Sequence, residues 1–252
     1  MMSWLPEDVS TFGGEIDRLF YAIYYITGAA LILVTALMII FLIVYRRREG
    51  RRATYTHGNT ALEITWTVIP AIVFLGLSFV SVSTWGKIKI HPPPPDVVVQ
   101  VTAKQFNWEV LYPGPDGQFG TGDDVQVNND IHVPLKKVVH IILKSKDVIH
   151  SFFLPNMRLK QDALPGKDIL VWFEAVKPGK YELPCAELCG FGHSGMRGWI
   201  YVHTADEYAK WAAENLTAEA APATEAKPDD KAEAKKEAPG KAEPKKEGKA
   251  KK

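Results

Sequence analysis

Residues 184–197 read PCAELCGFGHSGMR. The segment holds both cysteines of the chain, Cys185 and Cys189, together with Glu187, His193 and Met196. Each of these side chains can offer a lone pair to a metal. Three chemistries compete for such a loop: a disulfide, a zinc knuckle and an electron-transfer copper site. A disulfide across so short a span constrains little of the unfolded chain and leaves Glu187, His193 and Met196 without a purpose. Zinc accepts Cys and His but needs a fourth ligand here and leaves the thioether idle. Copper uses both cysteines, the histidine and the methionine. Cys189, His193 and Met196 supply thiolate, imidazole and a weak axial thioether, and such sites take a second histidine from elsewhere in a β-sandwich. His150, in KDVIHSFFLP, follows a predicted strand and precedes an apolar turn, which makes it the candidate. Cys185 then adds a second thiolate. Two thiolates can each bridge two copper ions, and one electron shared over bridged metals changes bond lengths little. That suits electron transfer rather than bond-making.

The sequence around the loop supplies the sandwich. VVVQVTA, FNWEVLY, KVVHIILKS, DILVWFEA, GKYELP and GWIYVHT are short β-branched and aromatic runs separated by Pro, Gly, Asn and Asp. Their spacing predicts a small all-β domain over residues 91–204. PGPDGQFGTGDD, with Asp116, Asp123 and Asp124, reads as a polar connection between strands. Calcium binding there is the weaker reading, because the spacing is not that of an EF-hand. His132, His140 and His203 lie in or beside strand runs and read as ordinary structural histidines. Met157 reads as packing. Residues 205–216 form a short helix with Thr204 as N-cap. Residues 217–252 alternate Lys, Glu, Ala and Pro and cannot bury enough apolar surface to order themselves, so they are expected to be a disordered tail.

Before the β domain the composition changes. No charged residue occurs from Leu19 to Tyr45, nor from Ile64 to Trp85. Each run is long enough to cross a bilayer, and residues 1–90 are expected to form a transmembrane hairpin with helices at about 19–46 and 63–87. Pro70 lies inside the second. RRREGRR between the runs places that loop on the cytoplasmic side, so both ends of the hairpin, and all that follows, lie outside. HPPPPD, from His91 to Asp96, is a stiff spacer expected to lift the β domain clear of the membrane. His57 and His91 fall at membrane edges. The formal net charge of +1 gives no reason to propose nucleic acid as a partner.

Together DVIHSFFLP, LKQDALPG, CAELCGFGHSGMRG and the membrane motif LEITWTVIP resemble subunit II of haem–copper cytochrome c oxidases, over residues from about 15 to 213. The resemblance implies a cupredoxin-like Greek-key barrel carrying a dinuclear copper centre, CuA. Cys185 and Cys189 would bridge the coppers, with His150 and His193 as terminal ligands. Met196 and the backbone carbonyl of Glu187 would be weak ligands. The Glu187 side chain would also reach a magnesium ion shared with subunit I. Glu63 matches a glutamate near the entrance of a proton path into subunit I. Phe106 stands where relatives place a tryptophan that receives electrons, and Trp108 is retained.

The implied role is that of the subunit through which electrons enter a terminal oxidase. The external donor is cytochrome c or another carrier, the oxygen chemistry lies in subunit I, and subunit III is a further partner. No catalytic residue is expected in this chain. The hairpin with both ends outside points to a bacterial plasma membrane or a mitochondrial inner membrane, and the Lys/Glu/Ala tail favours the bacterial one, with the β domain on the periplasmic side. A CuA subunit of a related nitric oxide reductase is one alternative, and a membrane-anchored copper carrier is another. Reduced thiols in an oxidising compartment also imply dependence on a thiol reductant and a copper chaperone.

Overall fold

The structure, a computed structural model, describes residues 4–52 and 55–216. The Lys/Glu/Ala/Pro tail expected over 217–252 lies outside the described residues. Two long apolar helices come first, α1 (Gly13–Val44) and α2 (Thr60–Trp85), both long and apolar enough to cross a membrane. The helices begin before the uncharged runs, at Gly13 rather than Leu19 and at Thr60 rather than Glu63. Two of the charged residues that precede the first run have partners outside α1. Glu15 receives Lys87 Nζ at 3.0 Å, and Asp17 receives Arg158. Asn59 caps α2 by accepting from Leu62 N at 3.2 Å. α2 runs through Pro70 and closes in one π turn over Gly86–Ile90.

Ten strands follow. A five-stranded sheet has the order β3 (Val125–Asn128), β2 (Asn107–Tyr112), β1 (Val97–Lys104), β5 (Val138–Ser145) and β8 (Ile169–Glu174), with β1 and β5 parallel. A second sheet has the order β4 (Asp130–Pro134), β10 (Arg197–His203) and β9 (Gly179–Pro184). β6 (His150–Leu154) and β7 (Leu159–Ala163) form a hairpin of their own. Alternation along the strands builds the interior. Val99, Val101 and Ala103 on β1 and Trp108, Val110 and Tyr112 on β2 face inward, while their neighbours face out. The aspartate-rich connection closes the β2–β3 hairpin. Asp116 Oδ1 accepts from Gln118 N at 2.8 Å and Asp124 Oδ2 from Gly120 N at 2.6 Å, the bonds of an ordinary polar turn.

The β domain is not lifted clear of the helices by the proline spacer. His140 Nε2 lies 2.8 Å from the Pro93 carbonyl oxygen, so the spacer lies along the domain. Residues ahead of α1 add themselves to it: Val9 N donates to Asn156 O at 2.8 Å, and Val176 N donates to Val9 O at 2.8 Å. Trp172 Nε1 donates to Ile88 O at 2.7 Å. Arg158 completes the attachment. Its Nε and Nη2 donate to the two Asp17 oxygens at 2.6 and 3.0 Å, and its remaining donors reach the Pro155 and Pro6 carbonyls.

Helix α3 (Ala205–Asn215), begun by a capping box between Thr204 and Glu207, lies against the second sheet. Trp211 stacks on His132 at 4.3 Å between ring centroids, His132 stacks on Tyr201 at 4.6 Å, and His132 Nδ1 meets His203 Nε2 at 2.8 Å.

Two outcomes are expected. Asp17→Ala leaves the Arg158 guanidinium, whose side chain is only 8% exposed, without its carboxylate. It should destabilise the chain by about 2 kcal/mol, measured as a lowered thermal midpoint in detergent; an unchanged midpoint would make the pair energetically neutral. Secondly, burial, aided by His203, holds the His132 pKa down at about 4, against 6.5 when unfolded. The folded state therefore binds fewer protons than the unfolded one. The contribution is complete above pH 6.5 and is lost as pH falls toward about 4. Trp211 fluorescence should report α3 loosening across that window in the native chain and a weaker dependence in His132→Phe, where His203, also held down by burial, remains.

Candidate metal centre

His150 opens β6 rather than preceding a turn, and it is fully buried. Its Nε2 donates to Asp147 Oδ1 at 2.8 Å. That bond places the proton on Nε2 and leaves the Nδ1 lone pair free. Nδ1 points at Cys185 Sγ, 3.9 Å away. Asp147 is held by three donors: His150, Gln105 N at 2.7 Å and Val148 N at 2.6 Å. Burial pushes its pKa up, but these bonds outweigh it and keep the carboxyl below the usual carboxylate range.

The cysteine loop is pinned at both ends. Cys185 N donates to Met196 O at 3.1 Å, and Ala186 N donates to Ser151 O at 3.0 Å. Cys185 thus bridges Phe152 on β6, which brings the loop beside His150. Gln105 Nε2 donates to the Cys189 carbonyl. Gly190 has φ +136°, and a Cβ there would meet Gln105 Nε2 at 2.7 Å, so only glycine fits. A Cβ on Gly192 would come within 2.6 Å of the Phe106 ring, which packs flush against the loop.

The result is a pair of similar half-sites. Cys185 Sγ has His150 Nδ1 at 3.9 Å and the Glu187 carbonyl oxygen at 3.3 Å. Cys189 Sγ has His193 Nδ1 at 3.6 Å and Met196 Sδ at 3.8 Å. The two sulfurs are 3.9 Å apart, both are free, and both are buried. A disulfide would need about 2.05 Å. Burial, together with the neighbouring Cys185, pushes the Cys189 thiol up to about 11. Protons therefore stay on the sulfur until a cation replaces them. Two thiols, two imidazoles, a thioether and a carbonyl form a soft to borderline donor set. Such a set suits copper and leaves hard cations poorly served. The Glu187 side chain is exposed.

The remaining sequence candidates do not join this cluster. Trp108 is fully buried beneath it, with ring centroids 6.3 Å from His150 and 5.7 Å from Phe152, and its indole N–H has no hydrogen-bond partner. Phe106 is partly exposed at the surface of the β domain. Glu63 lies in the first turn of α2, remote from the β domain in the fold. Asp147 and Gln105 were not singled out by the sequence. The signal available for Asp147 was its place three residues before His150.

Residues 99–203 match the family described as cytochrome c oxidase subunit II, periplasmic domain, and residues 4–84 match the transmembrane domain of the same subunit. Cytochrome c oxidase subunit 2 of Thermostichus vulcanus is 30% identical, with 86% of this chain and 80% of the relative covered. An alternative cytochrome c oxidase subunit 2 of Bradyrhizobium diazoefficiens is 28% identical, covering 85% of this chain and 84% of the relative. Among solved structures, the periplasmic domain of subunit II of the Bradyrhizobium japonicum oxidase is 30% identical. It covers 50% of this chain and 96% of that one, with a TM-score of 0.45.

Asp147→Ala removes the partner that fixes the His150 ring and its tautomer. Metal affinity should fall by roughly 10–100-fold, measured by competition with a chelator, while the fold is retained. Unchanged affinity would mean that burial alone orients His150.

Proposed function

Because this chain belongs to the cytochrome c oxidase subunit II family, we propose that His150 and the loop from Cys185 to Met196 hold a dinuclear copper centre. The protein is a membrane-anchored subunit of a haem–copper oxidase, the subunit through which electrons enter the complex. The observation that carries the copper assignment is the pair of half-sites. Each free, buried thiol has one imidazole nitrogen and one weak donor of its own, and the thiols face each other at 3.9 Å.

Bound copper supplies one-electron redox chemistry. The chain's own residues determine where and how. Cys185, Cys189, His150 and His193 would hold it, with Met196 and the Glu187 carbonyl as weaker donors. Buried walls from Trp108, Phe152 and Met196 keep bulk water from the sulfurs. Asp147 holds the His150 ring, and Gln105 holds the loop backbone at Cys189. An enclosed set of this kind favours a resident metal over one in transit.

The wider arrangement follows the same reading. Phe106, against the loop and partly exposed, is the contact for an external donor, cytochrome c or another one-electron carrier, with Trp108 packed beneath. The exposed Glu187 carboxylate would share magnesium with subunit I. Glu63, exposed in the first turn of α2, stands at the proton-path entrance of that subunit. Subunits I and III are the partners. The arginine-rich loop lies in the cytoplasm and the β domain in the periplasm of a bacterial plasma membrane.

The test loads the full chain with copper under reducing conditions, counts metal per chain and records its electron paramagnetic resonance spectrum. The expected spectrum shows hyperfine structure from one electron shared equally over two nuclei. Cys185→Ser should lower the copper content by half and localise the electron on one nucleus. A Cys185→Ser chain that keeps both coppers and the shared electron would remove Cys185 from the bridging role.

A further inference from the structure

A groove runs between α1 and α2 at the end of the hairpin nearest the β domain, with a cavity of about 440 Å³. Its lining is graded. Arg18, Glu15 and Lys87 stand at the mouth, Ser83 and Thr84 come next, and Leu19, Ala22, Leu77 and Val80 form the floor. From Lys87 to Leu77 the helix rises by about 15 Å. Over that length the wall passes from cationic through hydroxyl-bearing to apolar. A phospholipid changes in the same order, from phosphate through glycerol ester to acyl chain.

Two observations indicate that these polar groups are available. Lys87 and Glu15 neutralise each other across the two helices at 3.0 Å. Arg18, by contrast, is an exposed cation with no side-chain hydrogen bond or ion pair among the described residues, one turn into a helix that carries no further charged residue before it ends at Val44. Thr27, Thr65, Thr67 and Ser81 turn their hydroxyls back onto carbonyls of their own helices. Ser83 and Thr84, both facing the groove, make no such bond. The groove therefore has an unpaired positive charge at its mouth, unused hydroxyls below it and apolar surface beyond.

We infer that this groove is a binding site for one anionic phospholipid of the outer leaflet, its phosphate against Arg18 and an acyl chain along Ala22, Leu77 and Val80. A zwitterionic lipid offers the same chain but places a cation beside the phosphate, so it gains less from Arg18. One basic residue near an anionic surface corresponds to about a fivefold preference.

The test uses the full chain, extracted with its accompanying subunits and returned to phosphatidylcholine vesicles that carry a trace of spin-labelled phosphatidylglycerol or spin-labelled phosphatidylcholine. The motionally restricted fraction is read by electron paramagnetic resonance. The expected result is about a fivefold excess of restricted phosphatidylglycerol in the native chain. Arg18→Gln should bring it down to the phosphatidylcholine value, with Asp17–Arg158 and Glu15–Lys87 left intact. Ala22→Trp, which fills the floor and leaves the charge, should remove the excess too. Arg46→Gln, at the other end of α1, should leave it unchanged. Equal restriction of the two lipids by the native chain would overturn the site, as would an equal loss in Arg46→Gln, which would mean diffuse surface attraction. A native complex that restricts neither lipid, because a neighbouring subunit fills the groove, would overturn it as well. Copper content is expected to be the same in all of these variants, so failure of the lipid site and failure of the metal assignment are separable.

Discussion

Two buried sulfurs must be held 3.9 Å apart without joining, and much of the β domain serves that constraint. Free cysteines this close on a flexible loop would meet and oxidise in a compartment that permits disulfides. Here the backbone limits their approach. Cys185 is fixed between Met196 and the bridge to Phe152, Cys189 is tied through its carbonyl to Gln105, and Gly190 turns the chain through a conformation that suits glycine. Backbone bonds and a glycine turn thus shape the loop. Its remaining need is charge, since burial keeps protons on the sulfurs and a cation must displace them.

The sequence disclosed the donors more fully than the frame that orients them. Cys185, Cys189, His193 and Met196 lie in one short segment, and their chemistry limits the readings to a few. His150 was found because a copper site needs a second imidazole, yet its strand was missed. HSFFL and LKQDA are too short, and the second too polar, to show alternation. β3 and β4 went unread for the same reason. β1, β2, β8 and β10 carry β-branched and aromatic residues in alternation and β5 a continuous apolar run, which makes them legible, and β9 is bounded by glycine and proline. Asp147 could not be weighed from sequence. An acid three residues before a histidine meets the ring only because the chain between Ser145 and Val148 bends back on itself, a bend closed by the Ser145 hydroxyl on the Val148 carbonyl. Trp108 was readable as an aromatic near the site but not as a buried one, since burial depends on which face of β2 turns inward.

The attachment of the hairpin to the β domain was hidden for a different reason. Residues 6–12 have no strand pattern, and their pairing with Asn156, Glu174 and Val176 is a property of the assembled fold. The proline spacer suggested separation because proline-rich segments are stiff and extended. Stiffness does not determine where such a segment lies, and here it lies against His140. Arg158 illustrates the same limit: in sequence it is one basic residue in a polar stretch, and in the fold it is the bidentate partner of a carboxylate on α1.

These attachments converge on one short hairpin. β6 begins with His150 at the metal centre and ends in the turn whose Asn156 and Met157 carbonyls receive the N-terminal segment, and Arg158 follows at once. The strand between them spans about 17 Å at 3.3 Å per residue. His150, the proposed metal ligand, and the Arg158 clamp on the first helix therefore sit at opposite ends of one short segment, a strand and the turn that follows it. Any tilt of the β domain on its helices would have to break the Arg158–Asp17 pair and the bonds to residues 6–12 before it could move His150. A subunit that must present its metal to a neighbour embedded in the same membrane needs that fixed height and orientation, and a flexible spacer alone would supply neither. The docked N-terminal segment is thus as much a part of the metal centre's function as the ligands.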